Sequence, residues 1–144
     1  MNIRAYTPFD LAGVRDLIDK TDLSQPPDVL GGYGLVMEEK GDIVGFCWAL
    51  ISDDSDVAYI DWFAVDLSYR SQGFGLAMMT RMIFDLRALG KKRLCGVIPD
   101  KSEMALMNIY SEAGMNIKSG YVLHGSIANV CTRVLEMKKK VANG

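Results

Sequence analysis

The chain has 144 residues, of which 49% are hydrophobic and 24% are charged, and its formal net charge is −2. This size and balance predict one globular domain over residues 1–144, long enough to bury a substantial core. The slight negative charge gives no electrostatic footprint for nucleic acid. Because no apolar run reaches the roughly 20 residues that span a bilayer, we expect neither a nucleic-acid partner nor a membrane partner.

The three cysteines indicate a reducing compartment. Cys47, Cys95 and Cys131 lie far apart, in apolar surroundings and without C-x-x-C spacing. An odd count in this arrangement argues against a disulfide framework and against a zinc site, whereas buried reduced thiols are typical of cytosolic proteins. The first residues also lack the basic and then apolar layout of a signal peptide. We therefore predict a cytoplasmic protein without a bound metal.

Hydrophobic periodicity and turn residues divide the chain into strands and helices. The strongest helical pattern, at 76–89, has a continuous apolar stripe and stops at Gly90. In chain order the predicted elements are a strand at 3–6, a helix at 8–20 with Thr7 as its N-cap, a loop at 21–34, strands at 35–39, 43–51 and 57–65, a helix at 76–89, a strand at 93–98, a helix at 102–113, and strands at 117–123 and 129–137.

The order of these elements predicts a mixed sheet. Because a helix connects the strands at 57–65 and 93–98, these two strands should be parallel. Strands joined by a short turn, such as those at 35–39 and 43–51, should be antiparallel. The sequence therefore predicts an α/β (or α+β) fold with helices on a central mixed sheet.

The most informative motif lies between the strand at 57–65 and the helix at 76–89. It carries one arginine and two glycines at R-x-x-G-x-G spacing, in the run Arg70-Ser71-Gln72-Gly73-Phe74-Gly75. Such a turn points several backbone N–H groups at one place, together with a helix N-terminus that carries roughly half a positive charge. The Arg70 guanidinium suits phosphate oxygens. The motif therefore predicts a site for an anion such as a pyrophosphate.

This motif, in its strand–turn–helix context, resembles the Q/R-x-x-G-x-G/A motif of the GNAT superfamily of N-acetyltransferases. A second point of resemblance is Tyr110, four residues before Gly114. The resemblance covers nearly the whole chain and implies the GNAT fold, in which the parallel strand pair splays apart. It also implies acetyl-CoA as co-substrate, no metal, and transfer of the acetyl group to a primary amine by direct attack in a ternary complex.

The resemblance implies which residues would bind the cofactor. In the family, pantetheine lies between the splayed strands, where backbone groups near Phe63, Ala64 and Val65 would hold its amide and the thioester carbonyl. The pyrophosphate would lie on the turn and on the start of the following helix. The implied residues of that segment are Arg70, Ser71, Gln72, Gly73, Phe74, Gly75, Leu76 and Ala77.

Two side chains are candidates for proton transfer. The resemblance implies that Tyr110 protonates the leaving thiolate, and the alternative is a core aromatic at a helix end. Asp61 interrupts an apolar strand, where period-two alternation places it on one face with Tyr59, Phe63 and Val65. Asp61 is either the base that accepts the amine proton or a residue that orders a loop or pairs with a basic side chain.

Other side chains have two interpretations. Trp48, Trp62 and Phe63 either line a pocket for the acceptor or belong to the core. His124, the only histidine, is either a polar surface residue at a strand end or a base.

The alternative function is a non-catalytic acyl-CoA-binding sensor of the same fold. A nucleotide-binding domain is disfavoured because no G-K-[ST] accompanies the glycines. The predicted acceptor is an amine, either of a small molecule or of a peptide. The family resemblance also allows a homodimer through the late strands, with Val134 and Met137 facing the partner.

Overall fold

A mixed β-sheet forms the centre of the structure. The computed structural model describes residues 1–20, 32–69, 72–97, 116–118, 122–132 and 135–136. The strands in these ranges are β1 (Asn2–Ala5), β2 (Gly32–Glu39), β3 (Asp42–Leu50), β4 (Val57–Val65), β5 (Arg93–Val97), β6 (Asn116–Lys118) and β7 (Val122–Ser126). The two longest helices of these ranges are α1 (Leu11–Lys20) and α2 (Phe74–Ala88), and 3-10 turns lie at Pro8–Asp10 and Leu67–Tyr69.

The strand directions confirm the predicted mixed sheet. The described strands lie in the order β1-β2-β3-β4-β5-β7-β6. β4 and β5 are parallel, and every other neighbouring pair of described strands is antiparallel. α2 makes the crossover that a parallel pair requires, and no helix in the described ranges is long and apolar enough to cross a membrane.

The two helices cover opposite faces of the sheet. On one face, the buried side chains of α1 join β2, β3 and β4 in an apolar group that we call the α1-side cluster: Val14, Leu17, Ile18, Val36, Phe46, Trp48 and Ala64. On the other face, α2 packs against β2 to β5 in the α2-side cluster, which includes Leu35, Met37, Cys47, Ala49, Ala58, Ile60, Val65, Met78, Met79, Met82, Ile83, Leu86 and Leu94.

The start of α1 is held by one carboxylate. Asp10 accepts hydrogen bonds from the backbone N–H of Thr7 (2.8 Å) and from its hydroxyl (3.2 Å). It also accepts from both terminal nitrogens of Arg4 (2.8 and 2.7 Å), and Arg4 in turn donates to Glu38 (2.6 Å). The hydrogen bond from Arg4 holds the pKa of Asp10 below its usual value. β1, β2 and the start of α1 are thereby joined by one network.

The C-terminal end of α2 is closed by a Schellman motif and a buried lysine. Gly90 has the left-handed φ of 86°, and the N–H of Lys91 donates to the carbonyl of Leu86 (3.0 Å), as this motif requires. The Lys91 ammonium, in a residue only 8% exposed, donates to the carbonyls of Ser52 (2.5 Å) and Ser55 (2.6 Å) in the β3–β4 turn. This contact joins the end of α2 to the chain just before β4.

The predicted last strand pair is wrong in its boundaries. The prediction has strands at 117–123 and 129–137 joined around Gly125, whereas β6 and β7 are shorter and Gly125 lies inside β7. Gly125 is paired there with Leu94 of β5. β7 therefore lies between β5 and β6 in the sheet.

The chain directly after β7 is helical, at residues 127–132. Ile127, Val130 and Cys131 have the spacing i, i+3, i+4, which places them on one face of a helix. All three are buried in the α2-side cluster. Burial of this helical stripe outweighs the β-branched content that favours a strand.

Part of the prediction falls outside the described residues. The predicted helix at 102–113, the loop residues 21–31 and the dimer contacts Val134 and Met137 belong to this part. They stay predictions.

Asp10→Asn should lower the free energy of unfolding by about 1–3 kcal/mol at pH 7, because it removes charge-assisted hydrogen bonds. The folded-state pKa of Asp10 is lowered, so the stabilisation is present above the unfolded pKa of about 3.9 and is lost as the pH falls through the folded value. Urea denaturation should show the difference from wild type shrinking below about pH 4. Asp19→Asn, at an exposed site of the same helix, is the control, and equal stability of both variants at pH 7 would contradict the prediction.

Lys91→Met should lower the free energy of unfolding by about 2 kcal/mol, because two carbonyl groups lose a charged donor. The exposed neighbour Lys92 gives the matched control, since Lys92→Met removes the same charge without this contact. Thermal unfolding of both variants measures the difference. A Lys91→Met protein as stable as Lys92→Met would show that the contact adds nothing.

Candidate functional site

The predicted anion site lies where β4 leads into α2. The backbone N–H of Asp66 still bonds to Val44 of β3 (2.8 Å), and the 3-10 turn Leu67–Tyr69 follows at once. α2 then begins at Phe74, two residues earlier than the predicted 76. The R-x-x-G-x-G run therefore lies between the end of β4 and the first turn of α2.

Gly73 is the N-cap of α2 and leaves that end of the helix open. It has φ of 83° and ψ of 1°, which is a left-handed conformation that side chains disfavour. A Cβ atom built there would meet no heavy atom of the described residues within 4 Å. Within that part of the chain, there is space for a ligand to approach the backbone closely.

The first turn of α2 has backbone N–H donors and no acidic side chain that would repel an anion. The first hydrogen bond of the helix runs from Ala77 N–H to the Gly73 carbonyl (3.0 Å). The N–H groups of Phe74, Gly75 and Leu76 precede it and have no acceptor within the helix. The first turn contains no acidic side chain, so the helix dipole favours an anion there.

Arg70 and Ser71 lie outside the described residues, and their predicted contacts with phosphate stay predictions. The side chain of Gln72 bonds to its own segment of the chain, since its amide nitrogen donates to the Ser68 carbonyl (3.2 Å). Asp66 and Tyr69, which form the 3-10 turn before the motif, are not among the predicted site residues. An aspartate two residues before a turn serine was the available signal, since aspartate commonly bonds the backbone two residues on.

A β-bulge interrupts β4 at Asp61. Trp62 pairs with Trp48 of β3, and Ile60 pairs with the next residue, Ala49, so Asp61 is one extra residue in β4. The described pairs of the parallel ladder between β4 and β5 run from Val57–Arg93 to Ile60–Gly96, and the described part of β5 stops at Val97. β4 itself continues through the bulge to Val65.

The bulge overturns the period-two expectation for this strand. Before it, Ala58 and Ile60 belong to the α2-side cluster and Tyr59 is 48% exposed. After it, Phe63 packs against the α2-side cluster. Tyr59 and Phe63 therefore do not share a face, because the extra residue shifts the alternation by one. The role of Asp61 in proton transfer stays a prediction.

The three residues predicted to hold pantetheine contribute their side chains to the core. Ala64 is 4% exposed in the α1-side cluster, and Val65 is 7% exposed in the α2-side cluster. Phe63 is partly buried against the α2-side cluster. Any cofactor contact of these residues would therefore involve the backbone, as the prediction holds.

The aromatic residues considered for an acceptor pocket do not form one group. Trp48 is 3% exposed and lies across β2, where a Cβ on Gly34 would come within 2.5 Å of its ring. Trp62 packs against the same α1-side cluster, whereas Phe63 lies on the other face. A shared pocket of Trp48, Trp62 and Phe63 is therefore wrong, because neighbours on a strand point to opposite faces.

Of the two remaining candidate residues, Tyr110 and His124, the structure describes only His124. Tyr110 lies outside the described residues, and its role stays a prediction. The backbone of His124 lies inside β7, between Cys95 of β5 and Asn116 of β6, and not at a strand end. Within the described ranges, no group of three or more His, Cys, Asp or Glu residues is arranged to hold a metal ion.

Tyr33 ties α2 to β2. Its hydroxyl donates to the carboxylate of Asp85, which also accepts from Arg81 one turn earlier (3.0 Å). Burial, and then this carboxylate, raise the pKa of Tyr33 to about 12, so the hydroxyl remains a donor at neutral pH. Together with Lys91, this contact holds the C-terminal half of α2 and leaves its N-terminus as the open end.

Comparisons with known proteins agree with this geometry. A sequence profile described as the Acetyltransferase (GNAT) family matches residues 5–115, and the curated protein sequences give no match. A GNAT-family protein from Desulfovibrio desulfuricans has a TM-score of 0.76 at 16% identity, over 88% of this chain and 98% of its own. The ribosomal-protein-S18-alanine N-acetyltransferase from Escherichia coli has a TM-score of 0.73 at 19% identity, over 88% and 93%. Ard1 from Thermoplasma volcanium has a TM-score of 0.72 at 20% identity, over 87% and 96%. The chain therefore has the fold of these proteins.

Proposed function

Because the chain belongs to the GNAT family of acetyltransferases, we propose that it transfers the acetyl group of acetyl-CoA to a primary amine. The observation that carries this proposal is the open N-terminus of α2, led by Gly73 and placed directly after β4. A diphosphate there would accept hydrogen bonds from the first N–H groups of the helix. Arg70, which precedes Gly73 by three residues, would add a full positive charge.

The bulge in β4 supports the placement of the acyl group. The strand continues past Asp61 to Val65, so backbone groups beyond the bulge are candidates to hold the pantetheine amide and the thioester carbonyl. A backbone N–H directed at that carbonyl would also stabilise the oxyanion that develops on it. Acetyl-CoA would supply the acetyl group as an activated thioester.

Proton transfer is assigned to two residues in this proposal. A lysine-like amine, with a pKa of about 10.4, must lose a proton before it attacks, which costs about 4–5 kcal/mol at pH 7. Asp61 would accept that proton, so that the neutral amine can form the new N–C bond. As the C–S bond breaks, Tyr110 would give its proton to the thiolate sulfur, and the second proton lost by the nitrogen would replace it on Tyr110.

A cytoplasmic location belongs to the same proposal. None of the three cysteines is in a disulfide, and Cys47 and Cys131 are buried, as in proteins of a reducing compartment. We propose a small-molecule or peptide amine as the acceptor.

Gly73→Glu should weaken the binding of coenzyme A by about 100-fold or more, because like charges brought together cost several kcal/mol. Titration calorimetry measures the dissociation constant. Gly90→Glu is the matched control, since Gly90 has a similar φ of 86° and the same open surroundings. It lies at the opposite end of α2, about 22 Å away. Equal affinity of both variants would contradict the proposed site.

Turnover distinguishes an enzyme from a sensor. Release of free coenzyme A thiol from acetyl-CoA should depend on an added amine, in a panel of peptides, lysine, polyamines, aminosugars and amino acids. Tyr110→Phe should lower kcat by about 100-fold or more, with little change in the affinity for acetyl-CoA. Full turnover by Tyr110→Phe would remove the proton-donor role. Tight binding of acetyl-CoA with no turnover on any amine would instead favour the non-catalytic sensor.

A further inference from the structure

We propose that Gly45 of β3 positions the N-terminal end of α2, and with it the backbone N–H donors of the candidate cofactor site. This inference rests on the proposed function, because it concerns the same site. Gly45 lies in a row across three strands, since it pairs with Met37 of β2 and with Val65 of β4. Both partners are buried in the α2-side cluster. The missing side chain therefore leaves a gap, which we call the Gly45 gap, in the face of the sheet that α2 covers.

Met78 of α2 packs into the Gly45 gap. A Cβ atom on Gly45 would lie 3.4 Å from the Met78 sulfur and 3.0 Å from the Cβ atom of Met37. Met78 is 0% exposed, so its side chain is enclosed on all sides. A glycine inside a strand commonly marks such a close approach of another part of the chain. The absent side chain therefore lets α2 lie closer to the sheet than a larger residue would allow.

The Gly45 gap lies beneath the start of α2 and beside the end of β4. Met78 begins the second turn of the helix, so it directly follows the turn that carries the unpaired N–H groups. Val65, the partner of Gly45, is the last residue of β4. The next N–H, that of Asp66, bonds to the carbonyl of Val44, the residue before Gly45 (2.8 Å). The contact of Gly45 with Met78 therefore places the start of α2 relative to the end of β4.

The position of the N–H donors determines how well they bind an anion. Such hydrogen bonds need donor–acceptor distances of about 2.7–3.2 Å and weaken steeply outside good geometry. A methyl group at Gly45 must displace its neighbours, because a close-packed core has no free volume for it. The contacts of Tyr33 and Lys91 hold the C-terminal half of α2, so we expect the N-terminal end of the helix to move outward. Gly45 is thus a positioning residue that acts through α2.

Gly13 of α1 gives a matched control on the opposite face of the sheet. A Cβ atom there would lie 2.8 Å from the side chain of Ile43, which is on the same strand as Gly45 and packs against the α1-side cluster. Gly13→Ala therefore crowds the packing of a helix on β3, as Gly45→Ala does, but that helix is α1. A general loss of packing should affect both variants alike, whereas an effect on the start of α2 belongs to Gly45→Ala alone.

The test measures the dissociation constant of coenzyme A by titration calorimetry, together with kcat and the KM for acetyl-CoA. Gly45→Ala should raise the dissociation constant and KM about 10-fold, while kcat stays within about threefold, because the loss is in binding. Gly13→Ala should bind like the wild type even if its thermal stability falls. NMR spectra without ligand should show shifted amide signals for Phe74, Gly75 and Leu76 in Gly45→Ala, and unshifted ones in Gly13→Ala.

A double variant shows whether the effect passes through Met78. Met78→Ala removes the sulfur that the new methyl group would meet. Alone it should weaken coenzyme A binding about threefold, because α2 loses its contact in the Gly45 gap. Gly45→Ala combined with Met78→Ala should bind like Met78→Ala alone. A loss of about 30-fold, the product of the two single effects, would show that the residues act independently and would overturn the inference.

These outcomes keep the inference apart from the proposed function. If the wild type does not bind coenzyme A, the proposed function fails, and unshifted amide signals in Gly45→Ala would also overturn the positioning of α2. If the wild type binds and a folded Gly45→Ala protein binds equally well, the role of Gly45 is wrong and the proposed function stands. Equal weakening by Gly13→Ala would overturn the role as well. If Gly45→Ala does not fold, Met78→Ala decides, since unchanged affinity of that variant would contradict the inference.

Discussion

The burial of one side of α2 against the sheet is the interaction on which the site depends. Met78, Met79, Met82, Ile83 and Leu86 are each at most 1% exposed, and burial of such side chains is worth about 1.5–3 kcal/mol apiece. This packing fixes the axis of the helix over β2, β3 and β4. The position of its first turn then follows, and with it the direction of the backbone donors. The contacts of Tyr33 and Lys91 hold the C-terminal half of α2. The position of its N-terminus is therefore determined by contacts elsewhere along the helix.

The bulge at Asp61 divides β4 into two parts with different surroundings. Up to Ile60 the strand is paired on both sides, with β3 and β5. Beyond the extra residue the alternation is shifted by one, so that Phe63 and Val65 take over the α2 side of the sheet. A bulge also bends a strand and increases its twist. One inserted residue thus reassigns the faces of the strand, in the stretch whose backbone groups the proposed reaction needs.

Much of this architecture was predictable because local patterns and topology agree. The bounds of β4, the parallel relation of β4 and β5, the β2–β3 hairpin and the closure of α2 at Gly90 all follow from periodicity and turn residues. The bulge was not predictable: Asp61 stands out in the apolar run, but one aspartate does not show that the partner strand has no residue opposite it. The helix at 127–132 was missed because its β-branched residues favour a strand when they are considered alone. In both places the local structure depends on pairing or burial with distant parts of the folded chain. A pattern of neighbouring residues carries no information about those contacts.

The starts of α1 and α2 differ. The start of α1 is held by side-chain hydrogen bonds that stabilise the fold, whereas the start of α2 leaves its backbone N–H groups for the proposed ligand. α1 starts on Thr7 and Asp10, whose hydrogen bonds occupy the backbone and tie it to Arg4. α2 starts on Gly73, which offers no side chain to its own N–H groups. Glycine in place of a serine, threonine or aspartate N-cap costs a helix only a few tenths of a kcal/mol. α2 therefore leaves its first N–H groups without a capping side chain at little cost in stability, while its other end is closed by a Schellman motif and a buried lysine. The first N–H groups of α2 have no acceptor within the helix. An anionic ligand at this end would accept their hydrogen bonds, whereas the other end of the helix needs no ligand to complete its hydrogen bonding.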